Sequence, residues 1–417
     1  MQPQQNSIYD VFIGIDWADK KHDFFIKSQN NEKHLTVSSS PEELTKLIKT
    51  LHEENTGHMA VAVECSKGPI INFLAQFPFI TIFEINPVAF SNYRKTFRIS
   101  SAKDDKSDCK LLCEILYKNL DHFKPLDTSD KESFILGELC EKRRRAVCDR
   151  TKMTNRLRQL LKKYYPQALE HKLLGEFIFC QMACDFLKKW PSLQKLKRAA
   201  DNTISQFYMK HQCKRKDVIQ KRLAAIQSSV PLTDDKELIE VYIIELEGLL
   251  TQINAVNKVI RKYDLKIEEK IDMHEDAEIF MSFPGMAKNM AARMIQAFGT
   301  DRTRYKNVEE FINYVGVSPV TIQSGNSKII RRRYAKPTFI HQTFVEFAGY
   351  AMQNSQWAKL FKQCQVFKGS KGFKIRRSIA YKWTRILFAC WKNRVKYDEQ
   401  KYMKAMKRSS SPYAITL

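Results

Sequence analysis

The sequence predicts an α/β N-terminal domain, a middle of long helices that pair as a coiled coil, and a mainly helical, strongly basic C-terminal domain. Three observations predict this. Short apolar runs alternate with helix-spaced segments up to residue 125. Two later stretches, 136–164 and 239–263, carry seam residues at steps of three and four over more than three heptads. The charge is segregated: residues 281–417 hold 26 Lys+Arg against 6 Asp+Glu, in a chain whose net charge is +24.

A length of 417 residues allows two to four domains at roughly 100–200 residues each. A hydrophobic content of 43% with 28% charged residues is that of a globular protein, and 13 Gly and 13 Pro exclude collagen-like or low-complexity classes. No run of about 18 apolar residues is present. The start, MQPQQNSIYDVFIGID, lacks a basic segment followed by a long apolar one, so neither a membrane span nor a secretory signal is expected. The ten cysteines show no paired CxxC and read as free thiols of a reducing cytosol. A strongly basic C-terminal third reads as a polyanion-binding surface, most economically for nucleic acid. The plainer alternative is a merely solvated basic face.

The first strand is 11–16 (VFIGID), an apolar run that ends on an acid, followed by strands at 24–26 and 34–37. A helix follows from Pro41 to about Leu51 with Ser40 as N-cap. The run 59–64 (MAVAVE) is a strand that again ends on an acid. A helix over 68–77, a strand over 79–85 and a helix over 105–119 complete a mixed sheet covered by helices. The first seam runs Leu136, Leu139, Arg143, Ala146, Arg150, Met153, Leu157, Leu160, Tyr164, and the second Ile239, Tyr242, Leu246, Leu249, Ile253, Val256, Ile260, Tyr263. These helices either form an antiparallel hairpin or pair with another copy, with small helices at 166–235 between them. An ordinary bundle fits the periodicity as well. Ser282-Phe283-Pro284-Gly285-Met286-Ala287 opens the last third as a helix-hairpin-helix-like turn, and Ser318-Pro319 and Ser324-Gly325-Asn326 mark loops. The expected parts are therefore 1–125, 126–275 with the inserted 166–235, 276–400, and a flexible tail over 401–417.

Four acids stand at element ends: Asp16, Glu64, Asp105 and Asp108, the last two three apart on one helix face. Carboxylates brought within a few ångströms repel, and a divalent cation is their natural neutraliser. Mg²⁺ suits all-oxygen ligands and phosphate substrates. Capping and surface acids scattered by chance are the alternative. The cations fall in clusters: Lys328, Arg331, Arg332, Arg333 and Lys336; Lys371, Lys374, Arg376 and Arg377; Arg143, Arg144 and Arg145; and Arg94, Lys95 and Arg98. These are read as phosphate contacts. Trp357, Phe361, Phe367 and Phe373 interleave with cations, either stacking on bases or, more commonly, filling a core. The i,i+4 pairs Cys109/Cys113 and Cys180/Cys184 lack a partner at zinc-like spacing and read as small buried helix residues rather than metal ligands, and His22, near Asp16, reads as a surface residue ahead of a neighbour of the metal site.

The segments VFIGIDWADKKHD, VAVEC and INP…R…KDDKSDC resemble the N-terminal domain of the DEDD transposases of bacterial insertion sequences, the "one-ten" type, to which Piv-like DNA invertases are related. The Lys-x-Asp-x-x-Asp signature is here Lys103, Asp105 and Asp108, with Asp104 as an extra acid. FPGMAKNMAARMIQAFG and YVGVSPVTIQSGNSKIIRRR resemble the family's second domain. The resemblance implies a RuvC-like fold of the RNase H-like superfamily, Asp16, Glu64, Asp105 and Asp108 as Mg²⁺ ligands, and Ser324 as the nucleophile. It also implies DNA as substrate, a structured guide RNA, a homo-oligomer assembled through the long helices, and a place in the bacterial cytoplasm with the nucleoid. The chain departs from the pattern after Ser-Gly, where Arg332-Arg333 and Lys336-Pro337 stand in place of a Lys-x-Gly-Asn turn. A site-specific invertase, a hydrolytic RuvC-like nuclease and a non-catalytic nucleic-acid binder remain open readings at the level of sequence.

Overall fold

Continuous apolar runs give the first unit its sheet, because successive side chains of a strand point to opposite faces and both faces are covered. The computed structural model describes residues 8–28, 31–64, 68–97, 105–126, 131–170, 173–325, 327–334 and 336–408, with the backbone alone for Phe97, Asp105 and Lys106. The chain divides into two units, Met1–Lys131 and Glu132–Leu417.

In the first unit, β1 (Tyr9–Trp17), β2 (Lys21–Lys27) and β3 (Glu32–Ser38) form an antiparallel meander, as short links require. The helix α1 (Pro41–Glu54) begins where Ser40 accepts a hydrogen bond from the Glu43 N–H, with Pro41 in its first turn. It returns the chain to β4 (His58–Val63), and α2 (Pro69–Leu74) returns it to β5 (Ile80–Glu84); both strands are parallel to β1. The helices α3 (Pro87–Phe97) and α4 (Asp105–Lys118) follow, and the sheet order is β3-β2-β1-β4-β5. One face of the sheet packs Val11, Ile13, Ile15, Met59, Val61 and Val63 against Leu44, Ile48 and Leu74. The other packs Phe12, Phe25, Ala60, Ala62 and Phe83 against Phe90, Cys109, Leu112 and Cys113.

Gly14 allows α4 to lie on this second face. A Cβ there would stand 2.0 Å from the Cys109 carbonyl oxygen and 2.6 Å from the Cys113 nitrogen. Both are backbone atoms, so the neighbour cannot yield by changing rotamer. Gly14→Ala is therefore expected to lower stability by at least about 1–3 kcal/mol, read as a fall in Tm. An unchanged Tm would show that α4 does not press on β1.

In the second unit, α5 (Lys131–Tyr164) is followed by four short helices, α6 (Gln181–Lys189), α7 (Leu193–Lys197), α8 (Asp201–Lys210) and α9 (Lys216–Ser228), and then by α10 (Lys236–Asp272). Contacts between the two long helices run in opposite directions along them: Glu132 with Lys270, Arg143 with Asp264, Arg150 with Asn257, and Tyr164 stacked on Tyr242. The helices are thus antiparallel neighbours. Their apolar ends join different cores. Leu157, Leu160, Leu161 and Tyr164 meet Leu246–Ile253 and the short helices, whereas Leu136 and Cys140 share a core with Ile267 and Ile271. Between those ends the two seam arginines find polar partners: Arg143 pairs with Asp264, and Arg150 donates to Asn257 with its guanidinium 4.0 Å from the Phe179 ring centre.

The rest of the unit consists of α11 (Ala277–Met281), α12 (Lys288–Phe298), α13 (Val308–Val315), a hairpin of β6 (Pro319–Ser324) and β7 (Ser327–Arg332), then α14 (Thr338–Asn354), α15 (Gln356–Phe367), α16 (Gly372–Lys392) and α17 (Glu399–Arg408). Its core is aromatic, built on Phe283, Phe298, Phe311, Phe347, Trp357, Trp383 and Trp391. The loops expected at 318–326 are the hairpin, and the tail expected from 401 begins with α17, whose Tyr402, Met403 and Met406 pack on that core. Residues 409–417 lie outside the described ones. The Pro284-Gly285 turn does not stand open: Gly285, at φ +75°, faces Tyr350 and Asn354 of α14. Among the described residues, no helix is long and apolar enough to cross a membrane.

Candidate active site and nucleic-acid interface

Asp16 lies near the end of β1, and Glu64 directly follows β4. These strands are parallel neighbours with Ile15 opposite Val63, so the two acids sit at the same end of adjacent strands. Their parity is that of Phe12, Ala60 and Ala62, which places both on the face covered by α4. The carboxyl ends of parallel strands are where sheets of this kind bind ligands. Asp108, on α4, is buried, and its Oδ2 accepts a hydrogen bond of 2.8 Å from Arg94 Nη1 of α3. Asp105 opens α4, and its side chain lies outside the described residues, as do Lys103 and Arg98. Lys95 is exposed on α3.

The donor set is all oxygen, which fits a hard divalent cation. Among the described residues no three His, Cys, Asp or Glu side chains gather closely enough to hold a metal ion. Asp108 is paired with Arg94.

Sequence reasoning missed Asp23. It lies directly across from Asp16 on β2, is buried, accepts from Thr36 Oγ1 at 2.6 Å, and has His34 Nε2 at 3.1 Å. Nothing in KHDFFIK singles it out, since three polar residues there precede an apolar run. Burial pushes the Cys109 thiol up to about 12, and the charges of Asp23 and Asp16 add to the shift. Both carboxylates are thus near this buried sulfur. Cys113 and Cys184 are also buried. His22, expected at the surface, is fully buried, stacked on Trp17 with ring centres 3.6 Å apart; burial lowers its pKa. A flat ring against Trp17 is better kept from water than in it.

Ser324 belongs to the other unit. It is the last residue of β6 and is exposed. It faces Ser327 across the ribbon and is followed by Gly325, whose φ of +54° suits glycine. Paired residues share a face, so Ser324, Ser327, Ile322, Ile329 and Arg331 lie on one side of the ribbon, and Lys328, Ile330 and Arg332 on the other.

Arg332 and Lys336, at the base of the hairpin, lie near Arg377 of α16. Lys336 is lowered by burial and by the charges of Arg332 and Arg377, and its side chain covers Gly316. His341 is lowered by burial and by the same three cations, and its Nδ1 lies 3.2 Å from the Val315 carbonyl oxygen. Two clusters about forty residues apart in sequence thus form one positive region. Arg332 stacks over Tyr334, and Lys328, Arg331, Lys371, Lys374 and Arg376 are exposed. Arg333 is engaged with Asn313 and Ser318.

The arginine run on α5 is used differently from its expected role. Arg143 pairs with Asp264, and Arg144 donates to Gln342 and lies over the Phe339 ring. Arg145 pairs with Glu141 but stays exposed. The aromatic residues divide: Trp357 and Phe361 are core, whereas Phe367 and Phe373 are exposed.

Carboxylates at the ends of parallel strands in one unit, and a cation-lined exposed hairpin in the other, are the parts of a protein that works on a polyanion. Residues 13–166 match the family model described as a DEDD-type "Transposase" of IS110, and residues 277–363 match the model described as "Transposase IS116/IS110/IS902 family". Together the matches span more than half of the chain, and it belongs to the IS110/IS116/IS902 family of transposases, which move insertion elements and act on DNA. The chain is similar to the mini-circle putative transposase for IS117 of Streptomyces coelicolor, 26% identical over 404 residues, covering 94% of this chain and 96% of that one. It is also similar to an uncharacterized 44.8 kDa protein of the insertion element IS116 of Streptomyces clavuligerus, 23% identical over 325 residues, covering 76% and 77%.

Proposed function

We propose that this transposase cleaves and rejoins DNA with Ser324 as nucleophile and with Mg²⁺ held by Asp16, Glu64, Asp105 and Asp108. The observation that carries the reading is the register of β1 and β4, which sets Asp16 and Glu64 side by side on one sheet face, with α4 and its acids packed over that face. Bound there, the cation would offset the charge of the scissile phosphate. Ser324 Oγ gives up its proton to solvent and forms a bond to phosphorus, and the bond from phosphorus to a deoxyribose oxygen breaks. That oxygen takes up a proton, leaving a phosphoserine diester and a DNA hydroxyl. Attack by a hydroxyl of another strand reverses the step, so the phosphodiester is conserved and no nucleotide cofactor is needed. Exposure of Ser324 at a hairpin tip supports a nucleophile that must reach into its substrate.

Finer parts of the reading rest on the same basis. The mixed five-stranded sheet supports a RuvC-like fold for the first domain, related to that of Piv-like invertases. A net charge of +24 supports a second polyanion beside DNA, a structured guide RNA. Val241 and Ile244, 61% and 73% exposed on α10, support a homo-oligomer through the long helices. The setting is the bacterial cytoplasm, with the nucleoid. We read the catalytic domain as 1–125, the helical region as 126–275 and the serine domain as 276–400.

The test is to incubate the protein with DNA carrying the element ends and Mg²⁺, then denature and look for a covalent adduct. Cut DNA with free ends and no adduct would point to a hydrolytic nuclease instead. The convergent cations make a separate prediction. Arg332→Ala, Lys336→Ala and Arg377→Ala should each weaken DNA binding and reduce the slope of log K against log salt by about 0.9. A slope that does not move would remove that residue from the phosphate contacts.

A further inference from the structure

We infer that the turn between α15 and α16 is a stacking platform for unpaired bases of a single-stranded nucleic acid. Phe367 is 94% exposed and Phe373 is 76% exposed, in a domain whose other large aromatic residues are mostly buried. Each ring leaves an end of a well-anchored helix: Trp357 and Phe361 hold α15 in the core, and Ile375 and Ile379 hold α16.

The turn itself is fixed. Gly369, at φ +73°, donates its N–H to the Val366 carbonyl at 2.8 Å, and the Ser370 N–H donates to the Gln365 carbonyl at 3.0 Å. This paired closure of a helix end relies on a glycine in the left-handed region. The rings are thus presented on a rigid corner.

Charge complementarity selects the occupant. Lys368, Lys371 and Lys374 are exposed around the two rings, and the Arg376 guanidinium lies 6.0 Å from the Phe373 ring centre. From residue 347 to 397 the sequence contains no Asp or Glu. Cations for phosphates and ring faces for bases are the two parts of a single-strand site. Bases in a duplex already stack on one another, so exposed rings find a partner only where bases are unpaired. The inference rests on the proposed reading only in taking nucleic acid as the partner; it does not need Ser324 or the acids.

The experiment uses the full chain and oligonucleotides of about twelve residues carrying 2-aminopurine, as single-stranded DNA, as RNA of the same sequence, and as the DNA duplex. Wild-type protein should quench the fluorescence of the single strands. Phe367→Ala and Phe373→Ala should each weaken single-strand binding roughly tenfold and abolish the quenching, and Phe→Trp should restore both. The salt dependence should not change, because no cation is lost. Tighter RNA binding would assign the platform to a guide strand, and tighter DNA binding to an opened target strand; either supports it. Unchanged single-strand affinity in both alanine variants would overturn it. So would an equal loss of duplex affinity, or a Phe-dependent self-association or binding to phosphatidylserine vesicles without any effect on oligonucleotides. If adduct trapping fails while the Phe variants lose single-strand binding, the nucleophile reading falls and the platform stands.

Discussion

Ser324→Ala is expected to eliminate the covalent protein–DNA adduct and strand transfer while leaving folding and duplex binding intact. On the proposed reading the hydroxyl is the atom that bonds to phosphorus, so its loss removes the reaction path, and rejoining should fall by at least about 10⁴-fold. Folding should survive because Ser324 is exposed at the end of a two-stranded ribbon. Binding should survive because the cations proposed to meet phosphate, Arg332, Lys336 and Arg377 among them, are untouched. Ser327 supplies an internal control. It shares the face and sits across the turn, yet Ser327→Ala should retain the adduct. An adduct that persists in Ser324→Ala and disappears in Ser327→Ala would move the nucleophile across the hairpin. Cleavage without an adduct in the wild type would end the covalent reading altogether.

The parts of the fold that depend on local chemistry were legible in the sequence. The apolar runs ending on Asp16 and Glu64 are strands, and Ser40 caps α1 as its position before Pro41 predicts. Parts decided by distant partners were not. Arg143 and Arg144 look like a polyanion patch in a row, but Asp264 and Gln342, more than a hundred residues away, take them up. Asp23 reads as one more polar strand position until the register sets it against Asp16. The sequence marks only loops at the hairpin because both its faces are solvated, which erases the alternation that marks a half-buried strand. The aromatic spacing of 357, 361, 367 and 373 could not tell core from surface. The helix ends make that division: Trp357 and Phe361 lie within α15 on its core face, whereas Phe367 closes α15 and Phe373 opens α16.

Asp16→Asn is expected to abolish strand cleavage, by roughly 10²-fold or more, without lowering stability. Asp16 and Asp23 are direct cross-strand neighbours, and the charge of each acts on the buried Cys109 thiol. Like charges directly opposite one another in an antiparallel pair are destabilising, by roughly 0.2–1 kcal/mol. Replacing one with an isosteric amide relieves that repulsion, so Tm should rise slightly or stay level. A carboxylate retained for architecture would behave in the opposite way. Asp108→Asn provides the contrast. Asp108 is buried against Arg94, and neutralising it leaves a partly buried guanidinium with a weaker partner, at a cost of about 1–3 kcal/mol. Both variants should lose Mg²⁺-dependent cleavage, and only Asp108→Asn should melt earlier. If Asp16→Asn melts earlier too and duplex binding falls with it, Asp16 holds the sheet together, and the claim that it serves the chemistry is lost.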